Sequence, residues 1–285
     1  MNILPSSISM GSVMLRVADL DSMTRYYSNV LGLKVIGEDQ SSRVLGGDKG
    51  SALVLTSAPE LKHASPSDAG LFHTAFLYST KSALATAVAS IARSYPESFT
   101  GSADHIVSEA FYFDDPEGNG VELYFDRERT GWSWQHGQIM MDTLYLDPNK
   151  YLAEHLSDPL VYEYPVIGHV HLSVGNISLA KEFYVDALGF EVTLNWGGTA
   201  LFVSAGGYHH HMAMNIWRSR GAGKRQQTLG LGDVSIVLPD SESYGETLER
   251  LGHFGLKPRG EEENKVSFDD PWGNQVSLLR GASPS

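Results

Sequence analysis

The chain has 285 residues, 42% hydrophobic and 19% charged, with 29 Gly and 12 Pro, which suits two folded domains and excludes a disordered chain. A net charge of −13 argues against nucleic acid as a partner, and the absence of cysteine excludes disulfides, thiolate metal sites and a Cys nucleophile. No apolar run reaches the ~18–20 residues that span a bilayer, and Met1-Asn2-Ile3-Leu4-Pro5 has no basic or long apolar leader, so we expect a cytoplasmic protein with no membrane partner.

In chain order, residues 10–35 open with an alternating apolar strand (Val13, Leu15, Val17). They continue through a polar cap at Asp19 to Asp21 into an amphipathic helix closed by Gly32. Residues 71–93 give a second strand, a Ser/Thr cap and an Ala-rich helix. In FDDPEGNGVELY (113–124), Asp-Pro-x-Gly-Asn predicts a tight turn and the alternation after it a strand. Residues 127–165 are rich in Trp, Tyr, Met and Pro and read as a packed linker. The pattern then recurs: 167–192 repeats 10–35 at an offset of 157 without a gap (Val170, Leu172, Val174; cap at Asn176 to Ser178; Gly189). Residues 232–252 give another strand and helix, and FDDPWGNQVSLL (268–279) repeats the turn at an offset of 155. The halves are therefore 8–126 and 166–281, each holding two strand–helix–strand–strand–strand modules.

Modules with HVxLxV-type first strands, FY-x-x-LG helices and DPxGN-x-x-E last strands resemble the vicinal oxygen chelate superfamily of glyoxalases, bleomycin resistance proteins and extradiol dioxygenases. The resemblance covers nearly the whole chain and is strongest to Bacillus-type catechol 2,3-dioxygenases. It implies an α+β fold of two domains, with four βαβββ modules forming cup-shaped sheets around a divalent metal. The superfamily also holds metal-free binders, so the fold alone does not assign an activity.

His105-Ile-Val-Ser-Glu-Ala-Phe-Tyr112-Phe-Asp-Asp-Pro116-Glu-Gly118-Asn-Gly-Val-Glu122 is similar to the extradiol ring-cleavage signature, with Ala103 departing from it two residues before the His. Tyr112 and Glu122 flank a turn on neighbouring strands and so can face one cavity; the alternative is a surface hairpin with a solvated Glu. His73 lies on a strand whose alternation sends His73 and Ala75 to one face. A lone His there is commonly a core residue, but the resemblance makes it a metal ligand. His73 and Glu122 would supply two-thirds of a two-His, one-carboxylate set, the donors that hold non-haem Fe(II) and serve Mn(II) equally.

The first-strand ligand position that the resemblance implies falls on Ser12 in the first half and on His169 in the second. Conversely, the second-half counterparts of His73, Tyr112, Glu122 and His105 are Asp233, Ser267, Ser277 and Gly260. Each half lacks what the other has. If module two pairs with module three, His73, His169 and Glu122 make one site; with sequential pairing both cups are incomplete and would bind small molecules without metal. The resemblance also implies an acid–base His near Tyr208-His209-His210-His211. On a strand His209 and His211 share a face while His210 points away, so His211 or His209 takes that role. A supporting role, ligation in place of His169 and adventitious metal binding are the other readings of this run. His171, on the face of His169, reads as its supporting partner.

The resemblance thus implies an Fe(II)-dependent enzyme of aromatic hydrocarbon catabolism that takes a small aromatic diol and O2, with His105 and Tyr112 hydrogen-bonded to substrate. A glyoxalase-like isomerase or lyase would want a fourth protein ligand and no Tyr112. A metal-free binder of a planar ligand would use Trp132, Trp134 or Trp196. Superfamily members often form homo-oligomers, and the module pairs could then be completed between chains.

Overall fold

The computed structural model describes residues 3–48 and 50–281. The described chain forms two compact units. One comprises Leu15–Glu60 and His73–Gly168; the other comprises the described residues up to Met14, Leu61–Phe72 and those from His169 onward.

The first module is β1 (Ser9–Val17), α1 (Leu20–Leu31), β2 (Lys34–Glu38), β3 (Ser42–Gly47) and β4 (Gly50–Ser57). The second is β5 (Gly70–Tyr78), α2 (Lys81–Ser94), β6 (Phe99–Asp104), β7 (Ser108–Asp114) and β8 (Gly120–Asp126). Short strands β9 (Trp134–Gln135), β10 (Gln138–Ile139) and β11 (Leu144–Tyr145) then precede α3 (Pro148–His155). The third module is β12 (Val166–Ser173), α4 (Ile177–Lys181), β13 (Glu191–Trp196), β14 (Ala200–Ser204) and β15 (Met212–Asn215). The fourth is β16 (Gly230–Leu238), α5 (Ser241–His253), β17 (Gly260–Glu262), β18 (Lys265–Asp269) and β19 (Gln275–Arg280). The α+β class and the four βαβββ modules read from the sequence are both present.

In the last three modules the first strand pairs in parallel with the last: β5 with β8, β12 with β15 and β16 with β19. The remaining pairs within these modules are antiparallel. A parallel pair needs a long crossover, which the helix and two middle strands supply. The second strand of three modules breaks register at the same place, between Val35 and Gly37, Phe99 and Gly101, and Val192 and Leu194. Such bulges bend a strand and raise its twist, which is how flat ladders become curved cups.

The helices begin where short polar side chains predict. Asp19, Thr80, Asn176 and Asp240 accept from the backbone N–H of Ser22, Ala83, Leu179 and Ser243, each cap being worth about 1 kcal/mol. Gly32 closes α1 with φ 70°, a conformation that favours glycine. One face of α1 buries Met23, Tyr26, Tyr27, Val30 and Leu31, the helical spacing of a core-facing stripe. Helix α4 continues over Glu182–Ala187 in a wider turn, where Leu188 N–H donates to Phe183 O at 2.8 Å.

The repeated Asp-Pro-x-Gly-Asn turn ties helix to sheet in each unit. Asp115 Oδ1 accepts the backbone N–H groups of Glu117 and Asn119 at 2.9 Å, and its Oδ2 accepts the Tyr27 hydroxyl at 2.8 Å. Asp270 likewise accepts from Trp272, Asn274 and the Tyr184 hydroxyl. Burial raises both carboxyls, Asp115 to about 6. Among the described residues no helix is long and apolar enough to cross a membrane.

Candidate active site

In the unit containing β8, ladder register brings three of the expected residues to one sheet face. Ala75 stands opposite Glu122 in the β5–β8 pair, and Tyr112 stands opposite Glu122 in the β7–β8 pair. Because side chains alternate along a strand, His73 shares the face of Ala75, diagonal to Glu122. His73 Nε2 lies 2.9 Å from Glu122 Oε2, and both side chains are buried. The small Ala75 and Ala110 pack with Tyr124, Leu77 and Tyr112. An imidazole and a carboxylate at this separation suit neighbouring ligands of one divalent ion, whose cis donors lie about 3 Å apart for bonds of ~2.1 Å.

Tyr112 is held from its other side. Its hydroxyl lies 2.6 Å from His105 Nε2, and His105 Nδ1 lies 2.8 Å from the backbone oxygen of Asp142. A carbonyl only accepts, so Nδ1 donates to it, and in that neutral tautomer Nε2 accepts from the Tyr112 O–H. Burial, and next the nearby Glu122 carboxylate, push the Tyr112 phenol well above its ordinary range, which keeps it a proton donor.

The turn that carries His105 is fixed by charges the sequence reading did not single out. Ile106 adopts φ 73°, a strained conformation for a branched residue. Arg127 bridges Asp104 at 2.6 and 2.8 Å, donates to Ile106 O, and reaches Glu109, which Lys81 also contacts. Arg127 hydrogen bonds hold the Asp104 carboxyl below the usual carboxylate range. The indole N–H of Trp132 donates to Arg127 O at 3.0 Å.

In the other unit, His169 is 2% exposed on β12, and the run Tyr208 to His211 lies in the bend between β14 and β15 rather than on a strand. Strict alternation therefore fails there, and His210 does not point away as expected. His169, His209 and His210 are all buried and offer ligand atoms within 4.8 Å of one another. The His210 ring centroid lies 4.1 Å from that of His169, and His209 Nδ1 lies 2.7 Å from His210 Nδ1. Thr193 Oγ1 donates to His209 O at 2.6 Å and anchors the bend. His211 turns elsewhere: its Nδ1 accepts from Ala205 N–H and its ring stacks on Phe190. His171 packs among Phe72, Phe202 and Trp217. Trp217 N–H donates to Asn215 Oδ1, which turns the Asn215 amide N–H toward His171 Nε2 at 3.0 Å.

The fourth module repeats the geometry of the second without its chemistry. Ser277 stands opposite Ser235 and Ser267, as Glu122 stands opposite Ala75 and Tyr112. Asp233, the counterpart of His73, accepts from Ser277 Oγ at 2.7 and 2.8 Å and from Lys265 Nζ at 2.9 Å, while Ser267 Oγ lies 2.8 Å from Ser277 Oγ. The Lys265 ammonium thus balances the buried carboxylate.

The family described as the Glyoxalase/Bleomycin resistance protein/Dioxygenase superfamily matches residues 9–123 and again 166–278. The chain is 36% identical over 269 residues to the catechol-2,3-dioxygenase of Bacillus subtilis (strain 168), covering 92% of this chain and 93% of the relative. It is 30% identical over 130 residues to biphenyl-2,3-diol 1,2-dioxygenase 3 of Rhodococcus globerulus, covering 44% of this chain and 68% of the relative. Among solved structures, glyoxalase I of Zea mays shares the fold with a TM-score of 0.58 at 16% identity, covering 96% of this chain and 92% of that one. Repeats, modules and sequence likeness agree, and the chain belongs to the glyoxalase, bleomycin resistance protein and dioxygenase superfamily.

Proposed function

We propose that the protein is a non-haem Fe(II)-dependent extradiol dioxygenase. It would insert both atoms of O2 into a catechol beside the diol and open the ring to a muconic semialdehyde-type product. The observation that carries this reading is the buried His73–Glu122 pair facing a Tyr112 hydroxyl that is itself fixed by His105. A binder that only stacks a planar ligand needs none of these groups, and a glyoxalase-like isomerase needs no Tyr–His pair. The likeness to the Bacillus subtilis catechol-2,3-dioxygenase over 92% of the chain supports the same assignment.

His73 and Glu122 would hold the metal, with His169 assigned from the sequence as the third ligand because Ser12 is a poor one. When bound, Fe(II) (or Mn(II), for the same donors) supplies a centre on which diol and O2 can react despite the spin barrier between them. The Tyr112 phenol remains protonated at neutral pH, and on substrate binding its one proton would turn from His105 Nε2 to a substrate oxygen. His105 orients that donor through Nε2, and the Asp142 carbonyl holds the required tautomer. His209 is the candidate for accepting a diol proton, because its ring lies beside His169 whereas His211 is turned to Ala205.

Isotope labelling tests the reading. With 18O2 and catechol, the ring-opened product should carry both labelled atoms. Consumption of catechol without label in the product would refute it.

A further inference from the structure

We infer that His169, His209 and His210 form a second, all-imidazole cation site for a late first-row divalent ion of the Zn(II) or Co(II) class. All three side chains are more than nine-tenths buried, and their ligand atoms lie within 4.8 Å of one another. A tetrahedral ion with N donors at ~2.0–2.1 Å separates its ligands by about 3.3 Å, so small ring rotations close the set. Such rotations are local, because the bend is anchored through its backbone: Thr193 holds His209 O, and His211 pairs with Val203 and Val170.

The chemistry of the set selects the ion. Three imidazoles bring no negative charge, unlike a set containing Glu122. N-donor sites bind Co(II), Ni(II), Cu(II) and Zn(II) more tightly than Fe(II). At 2.7 Å, the Nδ1 atoms of His209 and His210 share one proton. An ion held by both nitrogens takes that proton's place as the donating ring changes tautomer. The occupied site would also engage His169. Resting on the dioxygenase reading, in which His169 is an iron ligand and His209 a proton acceptor, the two loadings exclude each other, and the late metal acts as an inhibitor.

The test uses the full chain as H73A/E122Q, which dismantles the other proposed donor set and leaves the three imidazoles intact. Metal-free protein, checked for folding by circular dichroism, is titrated with Co(II). We expect one equivalent to bind with the intense blue absorption of a tetrahedral centre. H209A or H210A in that background should weaken binding by about 100-fold or more, since even supporting partners of a ligand are worth 10–100-fold. If the double variant does not fold, H209N and H210N in the natural sequence should each remove the blue band. No stoichiometric Co(II), or binding that survives both His substitutions, would overturn the site. Failure of the dioxygenase reading is separate: it would show as Fe(II)-loaded natural protein that cleaves no catechol, whatever the Co(II) result.

Discussion

The Nε2 of His73 lies 2.9 Å from Oε2 of Glu122, with side-chain exposures of 7% and 3%. The contact follows from register: β5 and β8 run parallel with Ala75 against Glu122, which leaves His73 on the diagonal of the same face. A buried carboxylate beside an imidazole is costly unless each serves the other or both serve an ion.

His73→Ala and Glu122→Ala should each lower Fe(II) affinity by more than about 100-fold, beyond the 10–100-fold typical of outer-shell partners. Activity should fall in step. Metal analysis after gel filtration reads the outcome, and a variant that keeps stoichiometric iron and full turnover removes that residue from the ligand set.

Tyr112→Phe and His105→Ala should keep iron and lose about 10²–10⁴-fold in kcat, the range of a positioned proton-transfer group. His105→Ala should act through Tyr112, so the double variant should be little worse than either single one. Loss of iron in Tyr112→Phe would instead place the phenol among the ligands.

Asp115 gives a pH-dependent stability. Burial raises its carboxyl from 3.8 to about 6. A raised folded value means that its contribution is fully present below about pH 4 and is lost as pH rises through 6, by about 3 kcal/mol in all. Thermal or urea unfolding of natural protein and Asp115→Asn at pH 4, 5, 6 and 7 should show the natural protein losing stability relative to the variant across this window. A constant difference would contradict the assignment. The Tyr27 hydrogen bond makes the variant less stable at the acid end.

In the fourth module, Lys265→Met should destabilise the fold by about 1–3 kcal/mol, because it leaves the buried Asp233 carboxylate without its cation. Iron content should not change. An iron deficit in this variant would mean that the Asp233 cup takes part in metal binding.

Much of this was legible in the sequence because the signals are local. The Asp-Pro-x-Gly-Asn turn builds itself from Asp115 and its own neighbours, and Gly32 ends α1 wherever the chain goes next. Tyr112 and Glu122 could be placed together because they flank a local turn, whereas His73 was joined to them only by the family resemblance, since the Ala75–Glu122 register is set by long-range pairing. His209 to His211 could not, because alternation holds only on a strand and the run lies in a bend, which brings His210 to His169. The Asp142 contact to His105 is made by a backbone carbonyl, which leaves no residue signature. The Arg127 clamp joins ordinary surface-type charges from β6, β7 and the end of β8 that only pairing collects. In the fourth module the loss of the ligands was visible in Asp233 and Ser277, but the cation that replaces them, Lys265, became evident only in the folded strands.

Ring cleavage at an iron held by His73 and Glu122 is tested most directly by anaerobic reconstitution of the metal-free protein with one equivalent of Fe(II), followed by catechol and then oxygen, with the visible spectrum recorded. A yellow ring-opened product, formed with one O2 consumed per catechol and absent when Fe(II) is omitted, is the predicted result. Stoichiometric iron with no oxygen uptake and no yellow product from catechol or its alkyl- and aryl-substituted forms would contradict it.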